Sequence, residues 1–201
     1  MTRVLSPLGN VLIALFYSLF LRSAIAFWVE TGSVVGLGLV LFNSLIVTCL
    51  LVRRRAVAVT GSVTNWILAM LVQLIPLLLR PIGSASELLA VVSAGGQLAG
   101  LAIMVASLLV LNRSFGILAA NRGITSRGLY ALVRHPLYTG EMVFFISFLT
   151  ANWSFQNAYL VGVLILIQVV RSFQEEMFLL RDQHYAKYRA AVAYRFIPRI
   201  L

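Results

Sequence analysis

The feature that most limits the possible folds is a series of long apolar runs separated by short polar segments. A membrane-spanning helix needs about 20 predominantly apolar residues. Four runs meet this requirement, at residues 8–29, 33–52, 61–80 and 88–111. A fifth apolar block, 137–172, is too long for a single crossing of the bilayer. The chain is therefore predicted to be an all-α, polytopic integral membrane protein.

The fifth apolar block is interrupted by a polar stretch at residues 152–157, Asn-Trp-Ser-Phe-Gln-Asn. Tryptophan is typical of the interface between lipid and water, where a turn between two helices would lie. We interpret the block as a hairpin of two helices. This interpretation gives about six membrane segments, or five if one segment is re-entrant.

Composition supports a membrane protein and argues against a nucleic-acid-binding one. The chain is 61% hydrophobic and only 11% charged, whereas a soluble domain has about 25% charged residues. Its net charge of +10 comes from short basic clusters between apolar runs, without a continuous basic face. We expect membrane lipids and no nucleic acid as partners. The single cysteine, Cys49, excludes an internal disulfide and a thiolate metal site.

The distribution of basic residues predicts the orientation in the membrane. With the N-terminus in the cytoplasm, 14 of the 16 basic residues lie in cytoplasmic segments, and the exceptions are Arg22 and Arg80. Excess positive charge marks the cytoplasmic side, so both termini are predicted to be cytoplasmic. In an alternative interpretation, the first run is a secretory signal cleaved after Ala24-Ile25-Ala26.

Two pairs of glycines, Gly32/Gly36 and Gly96/Gly100, are spaced four residues apart in or beside apolar runs. Small residues at this spacing allow helices to approach closely in lipid. A nucleotide-binding glycine turn would need a preceding strand and the pattern G-x-G-x-x-G. The sequence contains neither, so we interpret both pairs as helix-packing sites.

Polar residues cluster at the start of the fifth apolar block. Pro136 suits the first position of a helix, which places His135 near the N-cap and Arg134 just outside. The helix N-terminus and Arg134 together favour a carboxylate or phosphate. In the alternative interpretation, Arg134 contacts lipid headgroups and His135 only caps the helix. Tyr138 and Glu141 follow, and Glu141 should face protein or a wet cavity because a charge inside the membrane costs about 2.5–3.5 kcal/mol.

A second polar cluster, residues 171–176, lies at the end of the hairpin. Arg171 and Glu175 are four residues apart and share a helix face. They form either an ordinary helix salt bridge, worth about 0.2–0.5 kcal/mol, or a pair of ligand-binding groups. The basic tail that follows contains four spaced aromatic residues, Tyr185, Tyr188, Tyr194 and Phe196. They either anchor the tail at the interface or cover a pocket.

Several membrane-enzyme chemistries are excluded by residue counts. The chain has two histidines and one aspartate, too few for a multi-histidine metal site or an aspartate-rich magnesium site, so no metal is expected. It also has no G-x-S-x-G turn for a serine nucleophile. Methyl transfer from a sulfonium donor remains possible because it needs chiefly alignment and partial desolvation.

The two polar clusters carry a recognisable pattern. It consists of Tyr130-x-x-x-Arg134-His135-Pro136-x-Tyr138-x-Gly140, then Arg171-x-x-x-Glu175-Glu176, then tyrosines and Pro198. This pattern resembles the isoprenylcysteine carboxyl methyltransferase family, which is related to the phospholipid N-methyltransferases. The resemblance covers about residues 112–201. It implies one membrane domain, 1–201, in which 1–111 supplies four helices and 112–201 the cofactor-binding and catalytic part.

The resemblance also implies a cofactor and roles for individual residues. The cofactor would be S-adenosyl-L-methionine, in a pocket at the cytoplasmic end. Its contacts would come from Arg122, Gly123, Ile124, Thr125, Tyr130, Arg134, His135, Pro136, Leu137, Tyr138 and Glu175. Arg171 and Glu175 would be catalytic, and Arg171 with Glu141 would bind the acceptor. The sequence departs from the family in two places. Residues 180–185 lack the Phe-Gly that many members have there, and Phe115 lies near the position where some members have a cofactor-binding glutamine.

The resemblance implies methyl transfer to a lipophilic small molecule or a prenylated acceptor. Carboxylate O-methylation is the reaction that it favours most. Three alternatives remain open at this point: a phospholipid-type N-methyltransferase, an NADPH-dependent membrane reductase of related architecture, and a non-enzymatic membrane protein. NADPH carries an additional phosphate, so a reductase should place more arginines in its pocket. The acceptor, the oligomeric state and the cellular membrane are not determined by the sequence.

Overall fold

The computed structural model describes residues 7–82 and 86–200. The described helices are α1 Pro7–Thr31, α2 Val34–Val52, α3 Val63–Leu74, α4 Glu87–Leu111, α5 Pro136–Ala151, α6 Phe155–Leu179 and α7 Gln183–Ala191. Strands β1, Ala58–Val59, and β2, Ala120–Asn121, form a short antiparallel pair. The prediction of an all-α polytopic membrane protein is confirmed.

Within the described ranges, four helices are long and apolar enough to cross a membrane, namely α1, α2, α4 and α6. The other two predicted segments form shorter apolar helices, Val63–Leu78 and α5. Pro76 lies in a 3-10 turn that ends the first of these, and Pro136 and Asn152 bound the second. Its 16 residues extend about 24 Å, less than the hydrocarbon thickness. Six full crossings therefore remain a prediction.

The predicted hairpin of α5 and α6 is confirmed, and its polar turn binds another loop. The fully buried Asn157 accepts a hydrogen bond from Arg80 N at 3.1 Å and donates to Arg80 O at 2.9 Å. Asn152 Oδ1 accepts from Ile82 N at 2.9 Å. Buried backbone groups need such partners. The amides that mark the turn in the sequence therefore join it to the segment after α3.

The connecting segments are gathered at two ends of the helical bundle. At one end, the segment after α2 pairs with the segment after α4 through β1 and β2, and the C-terminal tail contacts the start of α5. The segment after α3 and the α5–α6 turn meet at the other end. This grouping matches the alternation assumed in the predicted orientation. Which end faces the cytoplasm stays a prediction, and Arg3 lies outside the described residues.

The glycine pair in α4 allows close contact with α5. A Cβ added at Gly100 would lie 2.7 Å from both Gly140 O and Phe144 N. A Cβ added at Gly96 would collide with the Ser147 side chain. Backbone atoms cannot move aside as a flexible side chain can. The interpretation of Gly96 and Gly100 as packing residues is confirmed.

The other glycine pair divides into two different roles. A Cβ at Gly36 would lie 3.0 Å from Trp28 Cα, so this residue lets α2 pack on α1. Gly32 has no atom within 4 Å of such a Cβ, and its φ of +62° ends α1 in a left-handed turn. The packing interpretation was wrong for Gly32, because a glycine that terminates a helix needs only its backbone freedom.

Replacing Gly100 with alanine should weaken the α4–α5 packing. We expect Gly100→Ala to lower the free energy of unfolding by about 1–3 kcal/mol, because the methyl group meets backbone atoms. The matched control is Gly95→Ala, since a Cβ there has no neighbour within 4 Å. Unfolding in detergent should leave this control unchanged or slightly more stable. Equal effects of both substitutions would contradict the assigned contact.

Candidate cofactor site

A polar hollow lies where the segment after α4, the start of α5, the end of α6 and α7 meet. Its volume is about 720 Å³ including the open mouth. The lining consists of Leu111, Ser114, Phe115, Gly116, Ala120, Asn121, Gly123, Ile124, Thr125, Tyr130, Arg134, His135, Leu137, Tyr138, Glu175, Leu179, Tyr185 and Tyr188. We call this cavity the main hollow.

The two sequence clusters meet in one wall of the main hollow. Tyr138 Oη donates a hydrogen bond to Glu175 Oε2 at 2.9 Å. His135 Nδ1 lies 4.0 Å from the same oxygen. The His135 ring stacks on the Tyr138 ring, with centroids 5.3 Å apart and planes 13° apart. Helices α5 and α6 thus place two aromatic rings and one carboxylate side by side.

Glu176, the residue after Glu175, binds the polar side chains that support this wall. It is only 2% exposed. Its carboxylate accepts hydrogen bonds from Arg134 Nε at 2.8 Å, from Arg195 Nε at 3.0 Å and from Arg195 Nη2 at 2.8 Å. His135 Nε2 lies 3.1 Å from Glu176 Oε1. The start of α5, where the sequence predicts an anion, is therefore in contact with a carboxylate from the chain itself.

The contact between Glu176 and His135 also fixes the imidazole. A carboxylate oxygen only accepts hydrogen bonds, so His135 Nε2 must carry the proton that bonds to Glu176. In the neutral imidazole this leaves Nδ1 as an acceptor, on the side of Glu175. The histidine that begins the α5 motif is thereby held in one orientation and one tautomer.

The C-terminal tail encloses the same helix start. Arg134 N donates to Tyr194 O at 3.0 Å, and His135 N donates to Arg195 O at 2.9 Å. Thr139 Oγ1 donates to Phe196 O at 2.9 Å. The N–H groups at the start of a helix have no hydrogen-bond partners within the helix, so they need acceptors from elsewhere in the protein. The tail therefore belongs structurally to the main hollow although the sequence separates them.

Tyr185 and Tyr188 of α7 cover the main hollow. Both side chains are buried, and Tyr188 Oη donates to Tyr130 O at 2.8 Å. Burial raises the pKa of Tyr185 and Tyr188, and burial and then the Glu175 charge raise the pKa of Tyr130. These phenols stay neutral at physiological pH and act as hydrogen-bond donors. Of the two readings of the tail tyrosines, covering a pocket fits this pair, whereas Tyr194 is exposed.

The loop before the α5 motif is tied to α7. Asn121 Nδ2 donates to Asp182 Oδ2 at 2.6 Å, and Gly123 N donates to Asn121 Oδ1 at 3.1 Å. Hydrogen bonds from the His184 backbone and the Asn121 side chain lower the pKa of Asp182. This loop carries Gly123, Ile124 and Thr125 against the main hollow.

Arg171 lies on the opposite side of the Tyr138–Glu175 contact. Its Nη2 donates to Ile117 O at 2.9 Å and its Nη1 donates to Gln168 Oε1 at 3.1 Å. Its guanidinium carbon lies 5.2 Å from the centre of the Tyr138 ring. A small hollow of about 240 Å³ is lined here by Asn65, Ile117, Leu118, Ala119, Tyr138, Arg171, Gln174 and Glu175. We call it the Arg171 hollow.

The polar groups around the Arg171 hollow are not fully satisfied. Glu141 is close enough to interact electrostatically with Arg171. The buried atoms Glu141 Oε2, Gln168 Nε2 and Gln174 Oε1 have no hydrogen-bond partner among the residues that the structure describes. Unpaired buried polar atoms are costly and often mark a place where a ligand or water binds.

The predicted site residues fall into three groups. Those that line the main hollow are Gly123, Ile124, Thr125, Tyr130, Arg134, His135, Leu137, Tyr138 and Glu175. Arg122 and Pro136 are buried next to it without lining it. Arg171 lies at the Arg171 hollow, and Glu141 interacts with Arg171. His184, the other histidine of the chain, was not predicted as a site residue. It lines neither hollow, and its side chain is 86% exposed.

Sequence reasoning missed several residues of the site. Glu176 and Arg195 shape the wall of the main hollow, and Asn121 ties its loop to α7. A usable signal existed for Glu176: acidic residues are rare in this chain, so one beside Glu175 in an arginine-rich region needed a partner. No comparable signal marks Asn121, because a polar loop residue is common.

Fold and site together define a class: a polytopic helical membrane protein with a polar hollow at one end of its helices. A family model described as 3-oxo-5-alpha-steroid 4-dehydrogenase matches residues 87–201, more than half of the chain. The chain belongs to this family of membrane enzymes, a relative of the isoprenylcysteine methyltransferase-like proteins. A search of the curated proteins finds no match. The resemblance to the carboxyl methyltransferases themselves rests on the motif residues.

Proposed function

We propose that the protein is an S-adenosyl-L-methionine-dependent methyltransferase that acts on a lipid-like or prenylated acceptor, with carboxylate O-methylation as the first candidate. The observation that supports this most strongly is the contact between Tyr138 and Glu175. The two halves of the motif, far apart in the sequence, line one hollow. A shared hollow is what a cofactor bound by both motifs requires.

The residues of the main hollow suit this cofactor chemically. S-adenosyl-L-methionine combines a planar adenine, ribose hydroxyls and a positively charged sulfonium. The side chain of Glu175 is 31% exposed, so its carboxylate can accept from hydroxyls or balance positive charge. The apolar walls, Leu111, Phe115, Leu137 and Leu179, can enclose the adenine. When bound, the cofactor would supply an activated methyl group, and the protein would align the acceptor and exclude water.

In this proposal, Arg171 binds the polar head of the acceptor. It lies beside Tyr138 and Glu175 but in the smaller hollow, among polar atoms that lack partners. An arginine guanidinium presents several fixed donors to a carboxylate. The head group of the acceptor would then lie next to the cofactor at the Tyr138–Glu175 contact, with the lipid tail between the helices.

Replacing Arg171 with alanine should separate binding of the cofactor from turnover. We expect Arg171→Ala to bind S-adenosylhomocysteine nearly as well as the unchanged protein but to lose methyl transfer by about 100-fold or more, because the acceptor loses a charged partner. Equilibrium titration and transfer of labelled methyl groups measure the two quantities. Loss of S-adenosylhomocysteine binding by Arg171→Ala would instead assign Arg171 to the cofactor.

The acceptor can be identified directly. Purified protein in nanodiscs would be incubated with an isotopically labelled methyl donor and with lipid extracts or synthetic prenylcysteine. Mass spectrometry should find the label on a lipophilic product, and fragmentation would give the acceptor atom. A labelled amine headgroup would instead support the phospholipid-type N-methyltransferase. No labelled product in several lipid extracts would contradict the proposal.

A second candidate, an NADPH-dependent membrane reductase, is favoured by the printed description of the matching family. Arg134, the arginine that lines the main hollow, is already bound by Glu176, so contacts to the phosphates of NADPH would have to come from arginines outside this lining. Comparing S-adenosylhomocysteine with NADPH in one thermal-shift series distinguishes the candidates. Stabilisation by NADPH alone would replace the first proposal with the second.

A further inference from the structure

A second cavity adjoins the main hollow and is rich in arginine. Its lining consists of Arg54, Val110, Leu111, Asn112, Arg113, Ser114, Gly123, Ile124, Thr125, Ser126 and Arg127. It encloses about 720 Å³ including its open mouth. The residues from Leu111 to Thr125 that it shares with the main hollow make the two cavities neighbours. We call it the arginine hollow.

The charged side chains that line this cavity are all positive. Three arginines line it, and none of the described residues in its lining is an aspartate or a glutamate. It also offers the hydroxyl groups of Ser114, Thr125 and Ser126. Arginine donors combined with neutral hydroxyls form a typical set of ligands for a phosphate group.

The arginines come from different segments that the backbone holds together. Arg54 N donates to Arg113 O at 2.7 Å. Arg113 Nε donates to Val52 O at 3.0 Å. These bonds join the segment after α2 to the segment after α4, so the fold holds the backbones that carry two of the three arginines side by side. A site that is already assembled loses less conformational freedom when a ligand binds.

Two further arginines are close in the sequence to lining residues. Arg53 and Arg122 are both buried, and they precede the lining residues Arg54 and Gly123. Burial and then the charge of Arg53 lower the pKa of Arg122 to about 10. The cationic form of Arg122 is therefore less favourable here than in water.

The depth of the arginine hollow in the membrane is set by two helix ends. The spanning helices α2 and α4 end at Val52 and Leu111, and the cavity lies directly beyond both. The phosphates of lipid headgroups occupy this level of a bilayer.

We propose that the arginine hollow is a binding site for one phosphate group, carried by a lipid headgroup at the membrane surface. The ligands would be Arg54, Arg113 and Arg127. This site adjoins the proposed methyl-donor site and shares Gly123, Ile124 and Thr125 with it, but it does not depend on methyl transfer. Free phosphate has the same chemistry, so the experiment must distinguish the two sources.

The test uses the full chain, purified in a maltoside detergent without phosphate. Short-chain phosphatidic acid is added at constant ionic strength, and thermal stability and native mass spectrometry are recorded. We expect saturable binding of one molecule. Arg54→Gln and Arg127→Gln should each weaken it about tenfold, since each removes a charged hydrogen-bond donor. Arg113 is left intact because it also supports the backbone of Val52.

The matched control is Arg55→Gln, which removes an exposed arginine next to Arg54 that does not line the cavity. It should bind phosphatidic acid like the unchanged protein. Equal weakening by Arg55→Gln would show that the basic surface attracts lipid diffusely, and absence of saturable binding would show that there is no site. Either result overturns the proposal.

A second series replaces the lipid with inorganic phosphate. Competition by free phosphate at similar concentration would assign the site to phosphate itself and overturn the lipid assignment. Failure of free phosphate to compete would support a lipid ligand. S-adenosylhomocysteine binding is measured on the same samples, so loss of the proposed function and loss of this site appear as separate results.

Discussion

Replacing Glu176 with alanine is expected to unfold the end of the protein that contains the main hollow, or to destabilise it by about 3–5 kcal/mol. The carboxylate is almost fully buried and is the anion shared by Arg134, Arg195 and His135. Without it, buried positive charges face each other with no counter-ion. Thermal unfolding in detergent and limited proteolysis of the C-terminal tail measure the effect.

Two controls show that burial of the charge causes the effect. Glu30→Ala removes an exposed carboxylate near the end of α1 and should change stability by less than about 0.5 kcal/mol. Glu176→Gln keeps the shape but loses the charge, so most of the destabilisation should remain. A stable Glu176→Ala protein with an intact tail would contradict the role of this residue.

Replacing the adjacent Glu175 with alanine should affect cofactor binding and not stability. We expect Glu175→Ala to keep the fold but to lose detectable binding of S-adenosylhomocysteine, because the exposed carboxylate in the main hollow is removed. A charged hydrogen bond to each ligand group is worth about 1.5–3 kcal/mol, so loss of two such bonds weakens binding by about 100-fold or more. Equilibrium titration of purified protein measures this.

Tyr138→Phe is the matched control for Glu175. It removes the hydroxyl that donates to Glu175 and keeps the ring that stacks on His135. Binding should weaken moderately, because the carboxylate loses one positioning hydrogen bond and remains in the hollow. Full cofactor binding by Glu175→Ala would contradict the proposed site even if Tyr138→Phe were inactive.

Most of the helical framework could be predicted because lipid imposes simple requirements on the sequence. The starts of α2 and α5 and the α5–α6 turn follow from apolar runs that end at polar or proline residues. The length of α3 was harder to predict. Pro76 lies in the 3-10 turn that follows this helix, and such local backbone geometry is not measured by hydropathy.

The glycines illustrate a limit of motif reasoning. Gly32 and Gly100 belong to pairs with the same spacing, yet one terminates a helix and the other touches a neighbouring backbone. The spacing alone cannot separate these roles, because both need only the absence of a side chain. The difference depends on whether another helix lies opposite, which is a tertiary property.

Long-range contacts explain what the sequence left out of the candidate site. The motifs indicated Tyr138 and Glu175 but not how the tail would return. The tail binds the start of α5 through its carbonyl groups at Tyr194 and Arg195, and any residue has a carbonyl group. Side-chain patterns therefore contain no signal for that closure, whereas the tyrosines of α7 carried a weak one.

The central claim is that two distant segments, 130–138 and 171–179, jointly hold one methyl donor. Photochemical cross-linking of labelled S-adenosyl-L-methionine to the purified protein, followed by peptide mapping, tests it most directly. The account predicts that peptides from both segments carry label and that excess S-adenosylhomocysteine removes it. Label that is confined to one segment, or that resists competition, would contradict the account.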